Sequence, residues 1–354
     1  MAANTKNETP DPKGHQASSP WQMPRAAWKD IASRTWQRTW DDNVGLVAAG
    51  VAFYGFFALL SLLGMIVLIY GLVAEPRTVI EDMRVLTDIL PRDIVELIGD
   101  QLMIAVQSSE GRKGVGIGIA FLVALYGGTN GASAVITALN IAYEEKEKRS
   151  LVRFYVLAMG MTLVTLVAAL LALAATGAVA FIGDMLPRAW EPAVIAGTAA
   201  SYVLLVLVGA AIAASLYRYG PSREDARWEW ITPGSLFTSL AWLLLTVLFG
   251  AWVTTVSDYS ATYGSLGATV GLLTWMYLSA YVFCIGAELN SEIEHQTARD
   301  STTGRPRPLG ERGAWAADNV ATDETVQDRP EEAREGEKLT QASPTVADEA
   351  DERT

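Results

Sequence analysis

Apolar residues along this chain fall into six long blocks separated by polar connections, at about 44–74, 115–143, 151–182, 192–217, 231–256 and 263–292. Each is long enough to cross a hydrocarbon layer of roughly 30 Å, which takes about 20 helical residues. In hydrocarbon every backbone amide must pair internally, which a helix achieves within its own segment. The pattern therefore predicts an all-α polytopic integral membrane helical bundle, six transmembrane helices within residues 44–294. Asp41, Asp42 and Asn43 are placed to cap the first span, and Glu75-Pro76 to end it.

The polar parts have patterns of their own. Residues 1–24 form an N-terminal tail rich in Pro, Ser, Asn and Gln and are predicted to be disordered. Over 25–43, Trp28, Ile31, Ala32, Trp36 and Trp40 recur at helical spacing, with Lys29, Arg34 and Arg38 at other positions. This predicts an amphipathic interfacial helix, indoles at headgroup depth and cations toward anionic lipid. A helix packed on the protein's own cytoplasmic face fits the same pattern. Between the first two spans, Leu86, Leu90, Ile94, Leu97, Ile98 and Leu102 keep a helical period that Pro91 interrupts. Segment 77–108 therefore predicts extracytoplasmic amphipathic helices, and its carboxylates lack the spacing of metal ligands. Residues 295–354 are expected to be a disordered acidic cytoplasmic tail, with 14 acidic and 8 basic residues from position 298 onward.

Charge adds orientation. The net charge is −12, and no basic face points to nucleic acid. Lys and Arg cluster before the first span, between the second and third, between the fourth and fifth, and after the sixth. The positive-inside rule then places both termini in the cytoplasm of a bacterium, with the chain multi-pass in the inner (plasma) membrane.

Candidate chemistry is sparse. The two histidines, His15 and His295, lie outside the apolar blocks, and the single cysteine, Cys284, lies within one. No metal pattern, phosphate loop or nucleophile elbow is present, so no catalytic residue, metal or cofactor is expected and the chain reads as a non-enzyme. The middles of the spans carry neutral polarity and rings: Tyr54, Tyr126, Thr129, Asn130, Tyr202, Trp242, Trp275 and Tyr277. Each needs an internal partner or a wet cavity; a shared central cavity and ordinary interhelical hydrogen bonds both satisfy this. Gly116, Ala120, Ala124 and Gly128, and likewise Gly267 and Gly271, recur every four residues, as close helix packing requires.

Several motifs, in order, carry a resemblance. Ala52-Phe53-Tyr54 leads to Tyr70-Gly71-Leu72 in the first span. The second ends in Ala138-Leu139-Asn140-Ile141-Ala142-Tyr143-Glu144-Glu145, followed by Glu147 and Arg149. Leu216-Tyr217-Arg218-Tyr219-Gly220-Pro221 closes the fourth, with Trp230 and Pro233-Gly234 beyond it. Tyr263-Gly264-Ser265-Leu266-Gly267 opens the sixth, and Gly286-Ala287-Glu288-Leu289-Asn290 lies near its end. Over about residues 25–295 the chain resembles the YihY/BrkB family of bacterial inner-membrane proteins, sometimes labelled ribonuclease BN-like. Relatives often carry a proline where this chain has Ser61. The resemblance implies an α-helical membrane protein associated with envelope lipid traits and proposed as a transporter; the ribonuclease label reads as a misattribution.

Two local expectations follow. Tyr263, Gly264, Ser265 and Gly267 form an outer mouth or a simple helix start. Glu288 and Asn290 lie near the cytoplasmic end of the sixth span, close to Arg149 and Arg218 of neighbouring connections, so Glu288 with one of those arginines would make an inner latch. The expected function is a transporter or lipid- and amphiphile-handling protein of the cell envelope; the alternative is a non-transporting scaffold or regulator of envelope integrity. Expected partners are membrane lipids and a small amphiphilic or zwitterionic solute, with homo-oligomers open and nucleic acid not expected.

Overall fold

Long runs of Leu, Val, Ala, Ile and Phe, with charges confined to their ends, leave the backbone one way to satisfy its polar groups in an apolar solvent. The computed structural model follows that constraint and describes residues 11–73, 113–164, 191–255 and 265–321. Eight α-helices are described: α1 (Arg25–Asp41), α2 (Val44–Val73), α3 (Lys113–Ala142), α4 (Leu151–Val164), α5 (Glu191–Tyr219), α6 (Trp228–Thr255), α7 (Ser265–His295) and the short α8 (Trp315–Asp318). No strand occurs among the described residues. Five helices are long and apolar enough to span a membrane, namely α2, α3, α5, α6 and α7. The chain is thus a multi-pass membrane protein. The apolar helix α4 is described over Leu151–Val164, and the rest of the third expected span lies outside the described residues. So do residues 1–10, the 77–108 segment, Tyr263, Gly264 and residues 322–354.

The helices pack in the order α3–α2–α7–α6–α5, with α7 central and also touching α1 and α8. Large apolar side chains face outward along the spans: Leu122 is 64% and Leu204 61% exposed, a surface that only lipid would cover at low cost. Close approach of α2 and α3 depends on Gly127 and Gly131. A Cβ on Gly127 would stand 2.7 Å from Ser61 Oγ, and one on Gly131 would stand 3.3 Å from Ala58 Cβ. The contact face therefore passes through 127 and 131 rather than through the expected stripe ending at Gly128, which is set against Thr162 of α4. Nothing stands within 4 Å of a Cβ built at Gly271. Ser61 leaves α2 unbroken and donates its hydroxyl to Phe57 O at 2.8 Å.

The buried core sits at one end of the bundle. Leu139, Tyr143, Tyr217 and Ile231 form one cluster there, and Ile31, Trp230 and Ile293 another. The α1–α2 corner turns at Asn43, whose φ of 50° suits asparagine better than most residues. Residues 11–24 and 295–321 depart from the disorder expected of the tails. Ala298 N donates to His15 O at 2.8 Å, Gln296 Nε2 donates to Lys13 O at 2.8 Å, and Thr297 Oγ1 donates to Ala17 O at 2.8 Å. Polar composition concealed this order because hydrogen bonds to the end of α7 hold these segments, with only a few apolar side chains, such as Ala17, Met23, Ala316 and Ala317, buried beside them.

Candidate functional site

Between α2, α3, α4, α5 and α7 lies a chamber of about 600 Å³. Small residues hollow it out: Ala52, Gly55 and Ala58 of α2, Ala124, Gly128, Gly131 and Ala132 of α3, and Ala280 of α7. Phe121, Trp275, Met276 and Phe283 complete a wall that is almost wholly apolar, with Thr162 and Ser279 as its hydroxyls. Thr162 spends its proton on Ala158 O at 2.9 Å. Ser279 accepts from Trp242 Nε1 at 3.1 Å. Such a surface suits hydrocarbon and offers no charge to an ion.

The expected cavity residues divide. Trp275 lines the chamber, and Trp242 backs it, their ring centroids 6.0 Å apart. Trp275 Nε1 also reaches Thr246 Oγ1 at 3.4 Å. Tyr54, Tyr126 and Tyr202 are turned to the outside of the bundle, 46%, 72% and 52% exposed. Thr129 bonds its own helix at Leu125 O, 2.7 Å away, and Asn130 is half-buried without lining the chamber. Tyr277 stacks on Tyr281 at 6.1 Å, with its hydroxyl against Gly45. A shared polar midplane cavity is therefore not what these residues build. Of the outer-mouth set, Ser265 opens α7 and Gly267 is half-buried, while Tyr263 and Gly264 lie outside the described residues.

At the polar end the expected latch is replaced by another. Glu288, 1% exposed, pairs with neither arginine. Arg149 instead donates to Gly220 O at 3.0 Å and to Pro221 O, clasping two connections together. Arg218 donates to Ala226 O at 2.5 Å and stacks on Trp228 at 4.8 Å. The ion pairs form four and six positions further along α7. Glu292 receives Arg34 Nε at 2.5 Å and Arg38 Nε at 3.3 Å. Glu294 takes both arms of Arg223, at 3.1 and 2.6 Å, and the hydroxyl of Ser301 at 2.7 Å. Arg34 and Arg38 thus point into the protein and not toward lipid, while Trp36 and Trp40 remain exposed on the same helix. Burial would tend to discharge Arg223; the Glu294 carboxylate outweighs it and holds the guanidinium charged.

Asn290 does not take part in ion pairing either. Its Oδ1 accepts from Gly234 N at 2.8 Å and its Nδ2 donates to Ile231 O at 3.0 Å. Pro233 breaks the hydrogen-bond ladder of α6, and Asn290 pairs the backbone groups beside that break. Sequence reasoning missed Arg34, Arg38, Arg223, Glu292 and Glu294. One signal was available: two arginines four apart on α1 face carboxylates four apart, 288 and 292, on an antiparallel helix.

The geometry meets a consistent set of relatives. The ribonuclease-like protein YfkH of Bacillus subtilis is 28% identical over 247 residues, covering 67% of this chain and 86% of the relative. The UPF0761 membrane protein VV0203 of Vibrio vulnificus is 25% identical over 315 residues, covering 84% of this chain and 88% of the relative. No solved structure matches the chain significantly. The family profile described as Virulence factor BrkB matches residues 35–309, which takes in every helix named above except the first half of α1 and the short α8. By that match the chain belongs to the Virulence factor BrkB family of membrane proteins.

Proposed function

We propose that the protein is a six-span protein of the bacterial inner membrane that takes up the apolar part of a lipid or similar amphiphile between its helices, as a transporter or lipid-handling protein. The observation that carries this reading is the apolar chamber of about 600 Å³ against α7. Hydrocarbon gains about 0.8 kcal/mol per buried CH₂ relative to water, so such a wall selects chains over polar solutes. A zwitterionic headgroup finds no partner in it, which narrows the solute class to molecules with an acyl or similarly apolar portion.

Span number and orientation rest on parity and charge. Residues 11–24 and 298–321 meet at the same end of the bundle, so the chain crosses an even number of times between them. Five spans and α4 make six. That same end carries Arg34, Arg38, Arg149, Arg218 and Arg223, the bias that marks a cytoplasmic face. On this reading the protein is not an enzyme, and purified protein leaves RNA intact with or without divalent metal.

The test fills the chamber. Ala132→Trp and Ala280→Trp should each reduce the lipid that co-purifies in native mass spectrometry several-fold, and lower amphiphile flux in proteoliposomes in parallel. Wild-type protein that purifies empty and shows no flux would remove the basis of this reading and favour the scaffold.

A further inference from the structure

A second feature lies apart from the chamber, where α1 ends against α7. Asp42 caps α1, and its carboxyl lies within hydrogen-bonding reach of the Glu288 carboxyl. Glu288 is 1% exposed. Glu288 Oε1 and Asp42 Oδ2 are buried, and neither receives a hydrogen bond from any protein donor. Elsewhere at this end the buried acids are satisfied: Glu292 by Arg34 and Arg38, and Glu294 by Arg223 and Ser301.

A carboxylate only accepts hydrogen bonds, so two carboxyls at this separation can bond only if one keeps its proton. The surrounding charges do not relieve the pair. Arg38 approaches from α1, but it is already engaged by Glu292 of α7 and Glu144 beyond α3. Glu292 and Cys284 face Glu288 from α7, and Tyr143 faces it from the end of α3. The start of α2 brings Val44, an apolar neighbour of Cys284. Four carboxylates, Asp42, Glu144, Glu288 and Glu292, would then crowd the Arg38 guanidinium if both acids ionised.

We propose that Asp42 and Glu288 form a proton-binding site that holds a single proton between α1 and α7. Loss of that proton leaves the buried Glu288 charge beside the half-buried Asp42 charge and drives the end of α1 away from α7. Gain of it restores the hydrogen bond. The ligand is the proton itself and not a metal cation, because the Arg38 guanidinium already places a positive charge beside both carboxyls. The site is independent of what the chamber holds, although both lie on α7: Ser279 and Ala280 line the chamber two to three turns before Glu288.

The test uses the full-length protein in lipid nanodiscs. Infrared difference spectra recorded across a pH series at fixed sodium and potassium should show one protonated-carboxyl C=O band that disappears as pH rises. Glu288→Gln should abolish it. Asp42→Asn, which removes the neighbouring negative charge, should move its midpoint to lower pH. Protection of residues 25–42 against hydrogen exchange, corrected for the intrinsic pH dependence of amide exchange, should fall as pH rises in wild type and stay constant in Glu288→Gln. Absence of a titrating band in wild type overturns the proposal without any variant, so a variant that fails to fold does not shield it. A midpoint unmoved by Asp42→Asn, or one that follows sodium concentration at constant pH, overturns it as well.

Discussion

At the residue scale, the decisive side chains are the buried ions at the end of α7. Arg223 and Glu294 are 1% and 0% exposed and bonded through both arms. Removing one member strands the other as an unpaired buried charge, a loss of about 3–5 kcal/mol. Glu294→Leu or Arg223→Leu should therefore lower the unfolding midpoint in detergent sharply. Lys148, 59% exposed and paired to Glu145, is the control: Lys148→Ala should change stability by less than about 1 kcal/mol. Asn290 belongs with the first group for a different reason. Asn290→Leu leaves Gly234 N–H and Ile231 C=O buried without partners, at about 1–3 kcal/mol for each group. Thermal unfolding followed by circular dichroism measures all of these. Only part of this was legible in sequence: Glu288 and Asn290 stood out as motif residues, but which partner each takes depends on α1 and α6, which are remote in the chain.

At the element scale, two contacts set the architecture. The α2–α3 contact needs glycine at 127 and 131, where an added Cβ meets Ser61 and Ala58. Gly131→Ile should spread the pair and lower the yield of folded protein, whereas Gly271→Ala, with open space around it, should be silent; size-exclusion profiles in detergent separate the two outcomes. The other contact docks 298–321 onto the bundle. Burial raises the Asp300 carboxyl, but bonds from Thr302 and from the Arg307 backbone outweigh this and hold it below its usual 3.8. A lowered native value means this contribution to docking is complete above the unfolded value and is lost only as pH falls through the native one. Limited proteolysis of this segment should thus be unchanged from neutral to mildly acid pH and increase below about pH 3.8.

On the scale of the whole molecule, an apolar chamber and a polar cap share one helix. α7 lines the chamber with Trp275, Ser279 and Ala280 and ends in Glu292 and Glu294 under the cap. The cap is closed by chain segments from both ends of the protein, through His15, Arg34, Ser301 and Trp315, the last donating its backbone N–H to Glu145 at 2.7 Å. Comparing truncation after residue 321 with truncation after residue 297 isolates this closure. The shorter chain should melt lower, because Glu294 loses Ser301 and Glu145 loses Trp315, and differential scanning calorimetry reads the difference.

The all-helical class, the presence of several membrane-spanning helices and the family were written in the sequence itself. Hydrocarbon length and backbone pairing leave a run of twenty apolar residues a single structure, and that constraint is local. Motif order likewise needs no fold to be read. Tertiary structure alone decided which rings face lipid, which glycines carry a crossing, and which arginine meets which carboxylate. Those choices depend on the rotation of each helix about its axis, and helices with no strongly polar stripe do not announce that rotation one at a time. They acquire it from neighbours brought together across the chain, as Asp42 and Glu288 were.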